Sequence, residues 1–314
     1  MKIVILDDWE NCFRNNPLLK TLENKHDVTV YNDKPGNNEV INRLKNADIV
    51  IPIRERTKFT KELLNEVKNL KMIAQTGSGT AHIDIEEAER LNISVRSTTG
   101  GHKSVVELIF GFILAFNKKI IGLHEEMKDG QWPELLVDGL EKKTIGIIGL
   151  GKIGSGVAKI AKAFDMRVVA WGPRLTEERA LKEGVEYLSF EELLRESDFI
   201  TVNVRLVPET KDLIGEKQFN LMKPGAFFLN TSRGEIVNEK ALIRALQEKW
   251  IGGAGLDVFV NEPLPAQHPL RSLQNVILSP HIGWKTDTVF NLFLSESIQN
   301  IEEFLRIEEQ RSLS

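Results

Sequence analysis

The stretch Thr144–Trp171 constrains this chain more than any other. It runs as an apolar segment, Thr144-Ile145-Gly146-Ile147-Ile148, then Gly149-Leu150-Gly151-Lys152-Ile153-Gly154, then a helix-compatible Ser155–Phe164, then a second apolar segment, Arg167–Trp171. Three glycines at this spacing mean little alone, because glycine is common in turns. Between a buried strand and a helix, with a second strand roughly 20 residues on, they describe a βαβ unit that takes a dinucleotide. Gly149 allows the tight turn, Gly151 lets the backbone approach a pyrophosphate, and Gly154 lets helix and strand pack closely. The helix N-terminus then offers free N–H groups and a partial positive charge to the phosphates.

This unit lies in the middle of 314 residues, a length that fits two domains. Before it, Ile3–Leu6, Val28–Tyr31, Ile49–Ile53 and Met72–Ala74 read as strands, with helix-compatible runs at Glu39–Asn46 and Thr60–Val67 between them. A long amphipathic helix is expected from about Lys103 to Lys128, with Val105, Val106, Ile109, Phe110, Ile113 and Leu114 at helical spacing. After the glycine turn, further strands are expected at Phe199–Asn203, Ala226–Asn230, Gly255–Val258 and Val276–Leu278. Helices are expected near Ser189–Glu196 and Glu239–Glu248, and a last one over Thr286–Ile307. Strands alternating with helices imply parallel sheets covered on both faces. The expected fold is α/β, with two Rossmann-like doubly wound parallel-sheet domains. Residues 1–99 plus 286–314 form one, flavodoxin-like; residues 100–285 form the dinucleotide domain, inserted in the chain of the first.

Composition excludes several other classes. The formal net charge is -4, so no global basic surface points to nucleic acid. Cys12 is the one cysteine, which rules out an internal disulfide and a thiolate metal cluster and suits a reducing, cytoplasmic setting. No metal site is expected. Met1–Asp8 is a short apolar run closed by two acids and lacks the pattern of a secretory leader. Leu108–Phe116 is too short to span a bilayer, so no membrane association is expected.

The second strand of the βαβ unit ends Ala170-Trp171-Gly172-Pro173-Arg174. Gly172 stands where an acid would read the ribose hydroxyls. Its absence removes a repulsion against a 2′-phosphate, and Arg174 is available to pair with one. NAD and NADP therefore both remain open.

Four further stretches lie near the C-terminal ends of expected strands, where open α/β sheets bind their ligands. They are Asn230-Thr231-Ser232-Arg233-Gly234, Gly255–Phe259, Asn261-Glu262-Pro263-Leu264 and Ser279-Pro280-His281-Ile282-Gly283. Together with the glycine turn, Arg54-Glu55-Arg56-Thr57 and Gly77-Ser78-Gly79, they closely resemble the D-2-hydroxyacid dehydrogenase family, which includes 3-phosphoglycerate dehydrogenase and glyoxylate/hydroxypyruvate reductase. The resemblance runs over nearly the whole chain. It implies hydride transfer between NAD or NADP and a small 2-hydroxy or 2-keto acid. The residue types suit that chemistry. The planar fork of Arg233 binds a carboxylate and polarises a carbonyl. His281, of a residue type that titrates near neutrality, gives or takes the hydroxyl proton. Glu262 holds the imidazole and favours its charged form.

By the same resemblance, Gly149, Gly151, Lys152, Ile153, Gly154, Arg174, Val204, Thr231, Ser232 and Asp257 contact the cofactor, with Asp257 on the nicotinamide side. Arg54 and the backbone N–H groups of Ser78 and Gly79 contact the substrate. A homodimer through the 103–128 region is also implied. Phe110, Phe112 and Phe116 give that helix more apolar surface than a simple outer helix needs, although packing inside the monomer would use them too. The chain departs from the family at Ala81-His82, where an Asp-Asn pair is frequent, and at Asn203-Val204-Arg205, where His-x-Pro is frequent. Gly101 stands where Asn is common. These positions leave the three chemical residues alone and bear on substrate and cofactor choice. A nicotinamide-sensing corepressor of the same fold is the alternative function. A formate dehydrogenase is disfavoured, because that group carries Gln where Glu262 stands.

Overall fold

The computed structural model describes residues 1–313. The chain divides into two compact units, Met1–Gly101 with the segment from Lys285 onward, and His102–Trp284.

The first unit carries strands β1 (Lys2–Leu6), β2 (Asp27–Val30), β3 (Ile49–Pro52), β4 (Met72–Gln75) and β5 (Ser94–Ser97). They form one parallel sheet in the order β2-β1-β3-β4-β5. Order reverses between β1 and β3, so the segments after β1, β3 and β4 gather at one end of the sheet. β3 and β4 are buried at every residue, as parallel strands covered on both faces must be. The helix Lys61–Glu66 starts at Thr60, whose hydroxyl accepts the Leu63 N–H. Helix Asp287–Leu313 completes the unit with buried Phe290, Phe293, Leu294 and Ile301.

The second unit carries β6 (Thr144–Ile148), β7 (Arg167–Trp171), β8 (Glu186–Tyr187), β9 (Phe199–Val202), β10 (Phe227–Asn230), β11 (Gly253–Leu256) and β12 (Val276–Leu278). All pair in parallel, in the order β12-β11-β10-β9-β6-β7-β8. Side chains alternate between two cores. Ile145, Ile147, Phe227 and Leu229 pack with Ile109, Phe110, Phe112 and Ile113 on one face. Ile148, Ile200, Val202 and Phe228 pack with Leu193, Phe219 and Leu242 on the other. The expected α/β plan of two parallel sheets is therefore what the chain forms.

The single helix expected over 103–128 is instead two, His102–Asn117 and Ile120–Lys128, and this corrects the sequence reading. Lys119 takes a left-handed conformation at φ 52°, while the Asn117 amide and Lys118 Nζ both donate to the Asp138 carbonyl at 2.7 Å. No glycine or proline marks the break, so periodicity runs through it. Phe110 and Phe112 are buried within the unit, and Phe116 stacks on Phe227 with ring centroids 3.9 Å apart. The apolar surface of the first helix is thus used inside the monomer.

Candidate active site

Three neighbouring strands of the second unit, β10, β11 and β12, end side by side and carry the chemical residues. After β10, the Asn230 side chain curls the chain: its oxygen accepts the Ser232 N–H at 3.0 Å and its nitrogen donates to the Arg233 carbonyl at 2.9 Å. The Ser232 hydroxyl donates to the Val202 carbonyl at 2.9 Å, anchoring the turn to β9. Arg233 leaves this turn half-buried, with Nη1 donating to the Ser232 carbonyl at 2.7 Å.

After β11, Asp257 is almost wholly buried. Its Oδ1 accepts the Ile282 N–H and its Oδ2 the Gly283 N–H, each at 2.8 Å, and the Ser279 hydroxyl also donates to it. Three of about four lone-pair sites are thereby committed to the loop that follows β12. That loop holds His281 at a left-handed φ of 54°. Histidine is among the non-glycine residues that tolerate this region best.

Glu262 meets His281 from the loop after Asp257. Its Oε1 accepts the Phe259 N–H at 3.0 Å, and its Oε2 lies 2.7 Å from His281 Nδ1. An ionised carboxylate only accepts, so Nδ1 carries the hydrogen and Nε2 is the nitrogen left to face a ligand. Burial pushes the Glu262 carboxyl up. The His281 hydrogen bond and charge, the Phe259 N–H and the Arg233 charge outweigh it, and the group sits below the usual carboxylate range.

The glycine turn follows β6. Gly149 has φ +102°, and a side chain there would come within 2.9 Å of the Asn203 backbone and of Val204 Cγ1. The turn therefore lies against the end of β9, at the point where strand order reverses. Helix Lys152–Ala163 begins at the turn with Gly151 as its cap, and nothing lies within 4 Å of where a Gly151 side chain would point. Lys152 is exposed and Ile153 half-buried in its first turn. Gly154 is packed against the Gly149 carbonyl. The Thr231 hydroxyl is buried without a hydrogen-bond partner among the described residues. An uncovered helix N-terminus and an orphaned hydroxyl at the same sheet end fit a dinucleotide.

At the end of β7, Gly172 is buried and Arg174 exposed. A Cβ on Gly172 would meet Leu175 Cβ at 3.5 Å and Gly149 Cα at 3.6 Å, which is ordinary contact. Arg179, which sequence reasoning did not single out, donates to the Leu150 carbonyl at 2.6 Å and so braces the glycine turn.

In the first unit, Arg54 follows β3 at φ 60°. Its N–H donates to Thr76 Oγ1 at 2.7 Å, and its guanidinium pairs with Glu55 at 3.3 Å and lies 5.9 Å over the Phe293 ring. Gly77 has φ +81°, and the Arg54 guanidinium occupies the space of its missing side chain. The Gly77 N–H donates to Thr98 Oγ1 at 2.7 Å. Ser78 is exposed, and Gly79 leaves room for the Glu55 carboxylate. Sequence and structure thus bring Arg54, Ser78 and Gly79 to one end of one sheet, and Arg233, Glu262 and His281 to one end of the other. Among the described residues, no group of three or more His, Cys, Asp or Glu is placed to hold a metal ion, and no helix is long and apolar enough to cross a membrane.

Comparison with known proteins adds an independent finding. The model for the NAD binding domain of D-isomer specific 2-hydroxyacid dehydrogenases matches residues 110–283. A glyoxylate reductase of Thermococcus litoralis is 39% identical over 280 residues, covering 85% of this chain and 84% of that one. A phosphoglycerate oxidoreductase from Vibrio cholerae superposes with a TM-score of 0.87 at 34% identity, covering 98% of this chain and 99% of that one. An acyclic imino acid reductase solved with NADPH and D-Arg superposes with a TM-score of 0.83 at 30% identity, covering 98% and 97%.

Proposed function

This chain belongs to the D-isomer specific 2-hydroxyacid dehydrogenase family, enzymes that move a hydride between a nicotinamide cofactor and a 2-hydroxy or 2-keto acid, and we propose that Arg233, Glu262 and His281 are its catalytic residues. The observation that carries this reading is the 2.7 Å contact between His281 Nδ1 and Glu262, which leaves Nε2 to exchange a proton with the substrate oxygen. Glu262 fixes the ring and offsets its positive charge. Arg233 binds the substrate carboxylate and polarises the carbonyl. When bound, the nicotinamide ring supplies or accepts the hydride. Gly149, Gly151, Lys152, Ile153 and Gly154 hold its pyrophosphate, with Thr231, Ser232 and Val204 lining the cofactor's place. Asp257 serves mainly by holding the His281 loop. In the first unit, Arg54 with the Ser78 and Gly79 N–H groups are the proposed substrate-carboxylate contacts.

Gly172 and exposed Arg174 support NADP, and the relative solved with NADPH is consistent with it. A homodimer is supported by helix Ile120–Lys128, which buries none of its residues, and by Trp132 and Leu136 beyond it, 79% and 96% exposed.

The test is a thermal-shift comparison of NADH and NADPH, followed by a panel of short 2-keto acids with the preferred cofactor. At a hundredfold excess over Kd, a ligand adds about 2.7 kcal/mol to the native state, so preference is visible as a Tm difference. His281→Ala is expected to lose about two to four orders of magnitude in turnover while still binding cofactor. Near-normal turnover in that variant would remove His281 from the mechanism.

A further inference from the structure

Gln75 and His82 have no part in the roles above. Gln75 is fully buried at the end of β4. Its Nε2 donates to the Thr76 carbonyl at 2.8 Å and to the Arg54 carbonyl at 3.2 Å. With the nitrogen fixed there, Oε1 faces His82, whose Nε2 lies 3.1 Å away. An amide oxygen only accepts, so His82 Nε2 carries the hydrogen. One buried amide thus ties the segment after β3 to the turn after β4, and His82 is the donor that keeps the amide from rotating. His82 itself is pinned at its carbonyl, which accepts the Phe59 N–H at 2.9 Å. Its Nδ1 is buried without a hydrogen-bond partner among the described residues. Burial pulls the imidazole below its usual range; the Glu55 carboxylate opposes this and the Arg54 guanidinium adds to it.

We propose that His82 is a positioning residue for substrate binding: through Gln75 it holds the Arg54 carbonyl and the Gly77–Gly79 turn in the arrangement that takes the acid's carboxylate. This rests on the reading of Arg54, Ser78 and Gly79 as carboxylate contacts. The bond acts on how the turn is presented, so it bears on KM and leaves the proton and hydride chemistry alone.

The experiment is steady-state kinetics of the full-length enzyme with glyoxylate as the probe, on Arg54→Ala, His82→Ala, His82→Gln and Gln75→Met. His82→Ala is expected to raise KM about three- to tenfold, the effect of one buried hydrogen bond left unmade, with kcat within about twofold. His82→Gln, whose amide nitrogen takes the place of Nε2, should restore the wild-type KM. Gln75→Met fills the same volume without the amide and should reproduce the rise, which keeps the idea testable if His82→Ala does not fold. If Arg54→Ala raises KM and His82→Ala does not, the role of His82 is wrong and the carboxylate reading stands. If Arg54→Ala leaves KM unchanged, that reading fails and takes this one with it. A fall in kcat at constant KM, or no rescue by His82→Gln, also overturns the proposal.

Discussion

At Glu262 and His281, burial and partnership act in opposite directions on one carboxyl, and partnership prevails. A carboxylate held below its unfolded pKa stabilises the fold above that pKa, and the contribution disappears as pH falls through the lowered folded value. The ordinary glutamate pKa is about 4.3. Wild-type protein should therefore melt above Glu262→Gln near neutral pH, and the gap should close in the acid range below about pH 4. A gap that stays constant across that range would mean that Glu262 contributes shape and not charge. Glu262 is partly exposed, so solvent screening keeps the effect small. In the proposed mechanism the same pair has a consequence of another kind: Nδ1 is spoken for, so the reacting proton would pass through Nε2.

The elements divide into those that hydrophobic pattern announces and those that hydrogen bonding decides. Strands β6 and β7 match the apolar runs residue for residue, because a parallel strand inside a covered sheet is read as a nearly continuous apolar segment, and the half-buried edge strand β12 matches because Val276–Leu278 is wholly apolar. Edge strands β5 and β8 escaped that reading: Ser94–Ser97 and Glu186–Tyr187 are polar and only partly buried. Helix Ile85–Arg90 escaped it too, since it is set by the Asp84 side chain accepting the Glu87 N–H and not by an apolar stripe. The site follows the same division. Arg233, Glu262 and His281 stand out in the sequence as candidates because their chemistry is distinctive at strand ends. The Asp257 latch and the Gln75 tie do not, because they join loops remote in sequence. The glycine turn yields a prediction at this scale. In Gly154→Ala the added methyl group meets the Gly149 carbonyl, a backbone atom with nowhere to rotate. The helix must shift, at a cost of about 1–3 kcal/mol, seen as a lower Tm and a smaller cofactor-induced shift. An unchanged melting curve would mean that strand and helix are less tightly packed than described.

For the whole molecule, the exposed apolar run from Ile120 to Val137 argues for a second copy. Light scattering on the eluting protein is expected to give twice 35.5 kDa, and Leu136→Asp to move it toward the single mass. A monomeric wild type would remove the dimer. The two-unit division also sets an order of assembly. The second unit is continuous in the chain, whereas the first is completed only by helix Asp287–Leu313. A chain cut after Trp284 should keep hydrogen-exchange protection in 102–284 and lose it across β1–β5; equal protection in both would show the final helix to be dispensable. On the ribosome the N-terminal sheet emerges first but must wait for all of His102–Trp284 to be made, roughly 10 to 40 s at usual elongation rates. The part of the protein that is born first is thus finished last, and its bare sheet face is what a nascent-chain chaperone would meet.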